Sequence, residues 1–180
     1  MSDPESSAHA HRSRAAKAVP TAVVTVSDTR DRNSDTGGAL VEELLRAAGH
    51  PCVCREWVRD EPAQIAAGLD ALLRRDGVAA VILTGGTGIA PRDCTPEAVE
   101  PLLERSIPGF GELFRMLSYQ EIGSAAMLSR AVAGLARGRV VFALPGSRAA
   151  LRLALSKLIL PELPHLVAEA GKLASAAEMR

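Results

Sequence analysis

Residues Thr84 to Ala98 read TGGTGIAPRDCTPEA and follow the unbroken apolar run VAAVIL, Val78 to Leu83. Gly85, Gly86 and Gly88 fall within four positions of one another. Without a Cβ they admit backbone angles that other residues avoid, so their amides can turn toward an anion. The loop is no dinucleotide fingerprint, because Ile-Ala-Pro stands where the third glycine belongs. It is no Walker A loop either, since no Gly-Lys-Ser/Thr follows. On the glycines alone, two readings stay open: a phosphate cradle, or a tight turn between strand and helix.

Asp93 adds chemistry to the first of these. It precedes Thr95, which the pattern makes the cap of the next helix, by two residues, so Asp93 is not needed as the cap. Beside a polyphosphate, a carboxylate serves best by holding Mg2+, which takes carboxylate and phosphate oxygens together. The alternative is a surface Asp favoured by the positive end of a helix. Asp60, ahead of Pro62, carries the same two readings. Arg130, in MLSR, is either a phosphate-neutralising cation or a solvated helix residue.

Polar residues also gather where strands end. The first strand leaves through Ser27-Asp28, the second through Arg59-Asp60, the third through Thr84-Gly85-Gly86, and the last through Pro145-Gly146-Ser147. If these strands are parallel, the four exits share one rim, and that rim is where open parallel sheets bind ligands. Surface loops are polar in any case, so a single exit decides nothing. Four exits, two of them glycine-bearing, favour a site.

The elements that must position these residues alternate along the chain. TAVVTVSD, Thr21 to Asp28, is a β-branched strand. A polar loop follows, and then Leu40, Leu44, Leu45 and Ala48 at helical spacing, stopped by Gly49. Cys52 to Asp60 reads as a weaker, more exposed strand, with the CVC pair placing Cys52 and Cys54 on one face. Pro62 opens a helix with Ile65, Leu69, Leu72 and Leu73 on one side, closed by Gly77. After the Val78–Thr84 strand, Thr95, Pro96 and Glu97 start a helix striped by Val99, Leu102 and Leu103. Phe110, Leu113, Phe114 and Leu117 define another helix, and MLSRAVAGLARG, Met127 to Gly138, reads as helical too. Arg139 to Gly146 is the last strand. A long helix with Leu151, Leu155, Leu158 and Ile159 finishes the chain, interrupted around Pro161 and Pro164. The pattern implies an α/β fold, a mainly parallel sheet with helices on both faces.

Composition sets outer limits. A chain of 180 residues suits one domain. A formal net charge of zero supplies no field for nucleic acid or an anionic membrane, and no stretch reaches the length of a membrane span. Three cysteines without a CxxC pair suggest a reduced, cytoplasmic protein whose thiols pack rather than ligate. Residues 1–19 lack hydrophobic period and read as a flexible tail, where His9 and His11 are solvated or bind metal weakly. The domain is expected over 20–168, with a second tail over 169–180.

Taken together, TVSD, the segment Thr84 to Glu97, PGFGE (Pro108 to Glu112), MLSR and ALPG with Ser147, in this order, resemble the MogA/MoaB family of molybdopterin adenylyltransferases. The likeness spans residues 20 to about 168. It implies a three-layer α/β/α fold assembled as a homotrimer or hexamer. It also implies a reaction: Mg2+ and ATP adenylylate the terminal phosphate of molybdopterin, giving AMP-molybdopterin and pyrophosphate. On matching positions, Gly85, Gly86, Thr87 and Gly88, with Thr84, Pro145, Gly146 and Ser147, would cradle nucleotide and phosphate. Asp60 and Asp93 would be the essential carboxylates and hold Mg2+. Ser27 and Asp28 would edge the pocket, and Ser129 and Arg130 would assist the pterin phosphate. A separate molybdenum-inserting enzyme would receive the product. The run Phe114 to Leu135 resembles the MoaB branch, and Pro91-Arg92-Asp93 is what active members carry. Two alternatives remain on the sequence: a molybdopterin-binding trimer without catalysis, and a CinA-like nucleotide-processing enzyme.

Overall fold

The computed structural model describes residues 18–178, and side chains as far as residue 172. The expected N-terminal tail therefore lies almost wholly outside the described residues, with His9 and His11. Six strands form one sheet in the order β2-β1-β3-β6-β5-β4. They are β1 (Thr21–Val26), β2 (Cys52–Val58), β3 (Ala80–Thr84), β4 (Arg105–Ser106), β5 (Val132–Ala136) and β6 (Arg139–Leu144). Strands β1, β2, β3 and β6 run parallel, whereas β5 is antiparallel to both β6 and β4.

Side-chain alternation along the strands makes two cores. From the central strands, Val23, Ile82 and Phe142 face one side, where they meet α1 (Thr36–Ala47), α4 (Pro108–Ile122), α5 (Arg148–Ala154) and α6 (Leu160–Glu178). Their neighbours Val24, Val81 and Val141 face the other side, against α2 (Pro62–Arg74) and α3 (Thr95–Val99). Because both faces are covered, β1, β3 and β6 are apolar at nearly every position rather than alternately polar. On the first face Phe110 meets Phe142 edge-on at 5.3 Å between ring centroids. The result is the three-layer α/β/α architecture that the alternating pattern implied.

Four details depart from the sequence expectations. Met127 to Gly138 is not a helix: a 3-10 turn, Gly123–Leu128, gives way to β5. The segment pairs instead with β6 and β4, so closely at Gly134 that a Cβ would lie 2.6 Å from Leu103 and 2.7 Å from the Arg105 carbonyl. A two-residue turn, Arg137 (φ 49) and Gly138 (φ 70), then folds β5 back onto β6. Cys52 and Cys54 do not share a face, because the register against β1 shifts between Thr21 and Ala22. That bulge sends Cys52 toward the first core and Cys54 toward the second. At the C-terminus, the boundary expected at 168 falls inside α6, and Ala170 is fully buried. The fourth departure, at Thr95, belongs to the site. The expected interruption near Pro161 takes the form of a π-helical stretch, Leu155–Ile159, ahead of a helix that continues through Pro164.

Candidate active site

The C-terminal ends of β1, β2, β3 and β6 lie along one rim, and chain order reverses between β1 and β3. That is the switch point at which open α/β sheets form a crevice. The glycine loop leaves β3 at this point. The Gly85 N–H donates to the Leu144 carbonyl at 2.9 Å, and at φ 109 the residue passes so near β1 that a Cβ would stand 2.2 Å from the Val26 carbonyl oxygen. Gly86, also at positive φ, has Thr95 Oγ1 at 2.4 Å and Asp60 Oδ1 at 2.9 Å from where a Cβ would be. At Gly88 the nearest such atom is Asp93 Oδ2, at 2.7 Å. The glycines thus let two carboxylates close in on one short arc of backbone.

Thr95 is not the helix cap that the pattern predicted. Cys94 occupies that position and makes no side-chain cap bond. The Thr95 hydroxyl instead donates to the Gly85 carbonyl at 2.8 Å, and its N–H donates to the Gly86 carbonyl at 2.9 Å. Those carbonyls are turned inward, and Thr95 is fully buried against them. Thr87 is buried as well, and its carbonyl accepts from the Arg130 N–H at 3.0 Å.

Acidic residues converge from three exits. Asp28 accepts from the Arg92 guanidinium at 2.7 and 3.2 Å, and from the Asp60 N–H at 3.3 Å. The Arg92 hydrogen bond holds the Asp28 carboxyl below its ordinary pKa. Arg92 also donates to Glu61 at 2.8 Å, tying the first, second and third exits together. Burial, followed by the negative charges of Asp28 and Asp93, pushes Asp60 the other way, above the ordinary carboxylate value. Asp93 Oδ2 accepts from the Ala90 N–H at 2.9 Å, so its side chain is oriented by its own loop.

Arg130 reaches this loop because β5 is antiparallel: residues ahead of its first strand position lie on the rim where the parallel strands end. Its Nε donates to the Gly88 carbonyl at 2.7 Å, one terminal nitrogen donates to the Asp93 carbonyl at 2.7 Å, and the other pairs with Glu97. It is therefore not a solvated helix residue: its guanidinium is anchored to the glycine loop itself. Ser129, beside it, has a buried hydroxyl with no hydrogen-bond partner. On the last exit, Ser147 caps α5 by accepting from the Ala150 N–H, while Thr84 approaches the Pro145 carbonyl at 3.5 Å. Ser27 caps its own turn by accepting from the Thr29 and Arg30 amides.

Residues 22–165 match the family described as "Probable molybdopterin binding domain". Molybdenum cofactor biosynthesis protein B of Halalkalibacterium halodurans is 48% identical over 160 residues, covering 88% of this chain and 94% of that one. The chain belongs to the MogA/MoaB family. A crystal structure of a molybdenum cofactor biosynthesis protein B superposes with a TM-score of 0.85 at 49% identity, covering 88% of this chain and 99% of the other. The tungsten cofactor synthesizing protein MoaB from Pyrococcus furiosus gives 0.78 at 36%, with coverage of 87% and 99%. Membership in the MogA/MoaB family sets this chain in molybdenum cofactor biosynthesis.

Two features of this MogA/MoaB site carried little signal in the sequence. Arg92 is one; only its place between Pro91 and Asp93 hinted at it. The other is Asp35, whose buried carboxylate accepts from Gly38 N–H (2.8 Å), Thr25 Oγ1 (2.7 Å), Arg55 (2.7 Å) and Trp57 Nε1 (3.2 Å). It caps α1 and sets that helix start on the rim, where a Cβ on Gly37 would lie 3.5 Å from the Gly146 carbonyl oxygen. Burial pushes Cys52 up to about 11 and raises Cys54 and Cys94, leaving all three as thiols near neutrality.

Proposed function

We propose that this chain adenylylates molybdopterin with MgATP. The observation that carries the reading is the approach of Asp60 and Asp93 to the Gly86–Gly88 backbone from two different exits. A terminal phosphate oxygen of molybdopterin attacks the α-phosphorus of ATP, forming the new P–O–P link. The bond from that phosphorus to the β-bridging oxygen breaks, and its electron pair leaves on pyrophosphate. The nucleophile is already an anion, so no general base is needed, and the barrier comes from bringing anions together.

Among the described residues no three His, Cys, Asp or Glu side chains gather into a metal cage. Two carboxylates beside a phosphate-sized arc suit Mg2+, which keeps waters and takes its remaining ligands from phosphate. Asp60, raised by its acidic neighbours, would gain most from a cation there. Bound between Asp60 and Asp93, Mg2+ would neutralise charge developing on the phosphates. The protein's own part is to fix the triphosphate on the loop amides, with Pro145, Gly146 and Ser147 closing the far side. Arg130 holds the loop in shape and keeps Ser129 beside the pterin phosphate.

The same reading includes self-association as a homotrimer or hexamer in the cytoplasm, and hand-over of AMP-molybdopterin to a molybdenum-inserting enzyme. Leu113, Met116, Tyr119 and Ile122 support the first, since all are about half-exposed or more along α4. The deciding experiment is incubation with molybdopterin and MgATP. Wild-type protein is expected to yield AMP-molybdopterin and pyrophosphate. D93N is expected to lose about a hundredfold or more in turnover with an unchanged circular dichroism spectrum. Full turnover by D93N would refute the assignment.

A further inference from the structure

The hydrogen bonds of Arg92 reach neither the glycine backbone nor the side chains of Asp60 and Asp93, yet they bracket both carboxylates. On one side Arg92 is the chain neighbour of Asp93, and Pro91 restricts the backbone ahead of it. The Asp93 N–H donates to the Ala90 carbonyl at 2.9 Å, and the Asp93 carboxylate accepts from the Ala90 N–H at 2.9 Å. The turn 90–93 is thus closed twice, and Arg92 and Asp93 move together. On the other side the guanidinium spans two exits. Its Nε and one terminal nitrogen hold Asp28 at 3.2 and 2.7 Å, and the other terminal nitrogen holds Glu61 at 2.8 Å. The second oxygen of Asp28 accepts from the Asp60 N–H at 3.3 Å, and Glu61 directly follows Asp60 in the chain. Asp60 is therefore tethered on both flanks, and both tethers lead to Arg92.

Stability does not account for this arrangement. The Arg92, Asp28 and Glu61 side chains are 57%, 38% and 45% exposed, and ion pairs so open to water add little to folding. Charge does not account for it either, because a cation at this point opposes the approach of a metal to the rim. What the fork supplies is geometry. A planar guanidinium holds two carboxylates from different loops in one fixed relation, whereas an ammonium is a single point charge.

We propose that Arg92 is a positioning residue which, through Asp28 and Glu61, sets the separation of Asp60 from Asp93 and so fits the rim to Mg2+. The inference rests on the MgATP reading above and adds to it a residue that acts only through its neighbours. Asp28 is the relay, one oxygen on the guanidinium and the other on the Asp60 amide. Without Arg92 the first and second exits are no longer tied to the glycine loop, and the two carboxylates take a spread of separations instead of one. Mg2+ demands near-ideal geometry, whereas Ca2+ accepts many arrangements, so the loss falls mainly on Mg2+. Groups that orient metal ligands in this way change metal affinity without touching the metal.

Calorimetric binding of α,β-methylene-ATP, which cannot release pyrophosphate, tests this when measured with Mg2+, with Ca2+ and with EDTA. Wild type is expected to bind it about tenfold or more tightly with Mg2+ than with EDTA. R92M should lose about tenfold with Mg2+, less with Ca2+, and little with EDTA. R92K, which keeps the charge without the fork, should behave as R92M does. D28N should also weaken binding with Mg2+, and the R92M/D28N double variant should be no weaker than the weaker single variant. An equal loss by R92M under all three conditions would overturn the proposal, because it would put Arg92 on the phosphates themselves. Additive losses in the double variant would overturn it too, as would R92M binding with Mg2+ as tightly as wild type. Should R92M fail to fold, R92K decides through the same three titrations. Equal binding by wild type with Mg2+ and with EDTA would refute the metal reading itself, and this inference with it.

Discussion

Gly85 is the position where the site depends most on a missing atom. Its φ of 109 disfavours any L side chain, and a Cβ would press on the Val26 carbonyl at 2.2 Å. Both obstacles are backbone, and β1 and β3 are paired through the centre of the sheet, so relief would require moving them apart. Gly85→Ala is therefore expected to cost about 2 kcal/mol or more in urea unfolding, and to weaken nucleotide binding with it. Gly49→Ala offers the comparison: its φ is also positive, but nothing lies within 4 Å of the added carbon, so about 1 kcal/mol is expected. That the glycines, Asp60 and Asp93 come together was legible in the sequence, because they stand at strand exits that a parallel sheet brings to one rim. The role of Thr95 was not. A threonine before Pro-Glu looks like a helix cap, and only the folded loop offers it the carbonyls of Gly85 and Gly86.

At the scale of elements, the start of α1 hangs on Asp35. Burial works to raise its pKa, but the Gly38 amide, Thr25 and Arg55 together bring it below the ordinary value of 3.8. A carboxyl depressed in this way contributes stability above its unfolded pKa and loses it as pH falls through the folded one. Asp35→Ala leaves Arg55, whose side chain is 17% exposed, without its closest partner, and is expected to cost about 3–5 kcal/mol near neutrality. Denaturant titrations at a series of pH values should show the gap between wild type and Asp35→Asn closing only below the ordinary aspartate range; a gap independent of pH would contradict this account. Strand and helix alternation was readable from periodicity, yet β5 was not. Its alanines and single Gly134 carry no β-branched signature beyond Val132, and the strand is held by backbone pairing with β6 and β4, where Gly134 admits the close approach of Leu103 and Arg105. The same limit hid Asp35, whose partners Thr25, Arg55 and Trp57 come from two other strands.

For the whole molecule, the apolar stripe of α4 bears on assembly. Leu113, Met116, Tyr119 and Ile122 recur every three residues along α4 and are all about half-exposed or more, an apolar stripe of the kind that marks an interaction surface. Sedimentation of the wild-type chain is expected to give a trimer or hexamer, and Met116→Asp with Ile122→Asp should shift it to monomer without loss of secondary structure. A wild-type monomer would remove self-association from the proposal. The sheet also divides the molecule into two poles. The Ser27-Asp28, Arg59-Asp60, glycine-loop and Pro145–Ser147 exits leave the C-terminal ends of the parallel strands, and Ser129-Arg130 precede β5 on the same rim, while the tight turn Arg137–Gly138 and the glycine stops Gly49 and Gly77 lie at the opposite end. Cβ atoms at Gly49 and Gly77 would meet open space. That quiet pole is therefore the place where new chain can be grafted, and a reporter domain inserted at Arg137–Gly138 should leave the proposed adenylyl transfer untouched, whereas the same insertion in the glycine loop should abolish it.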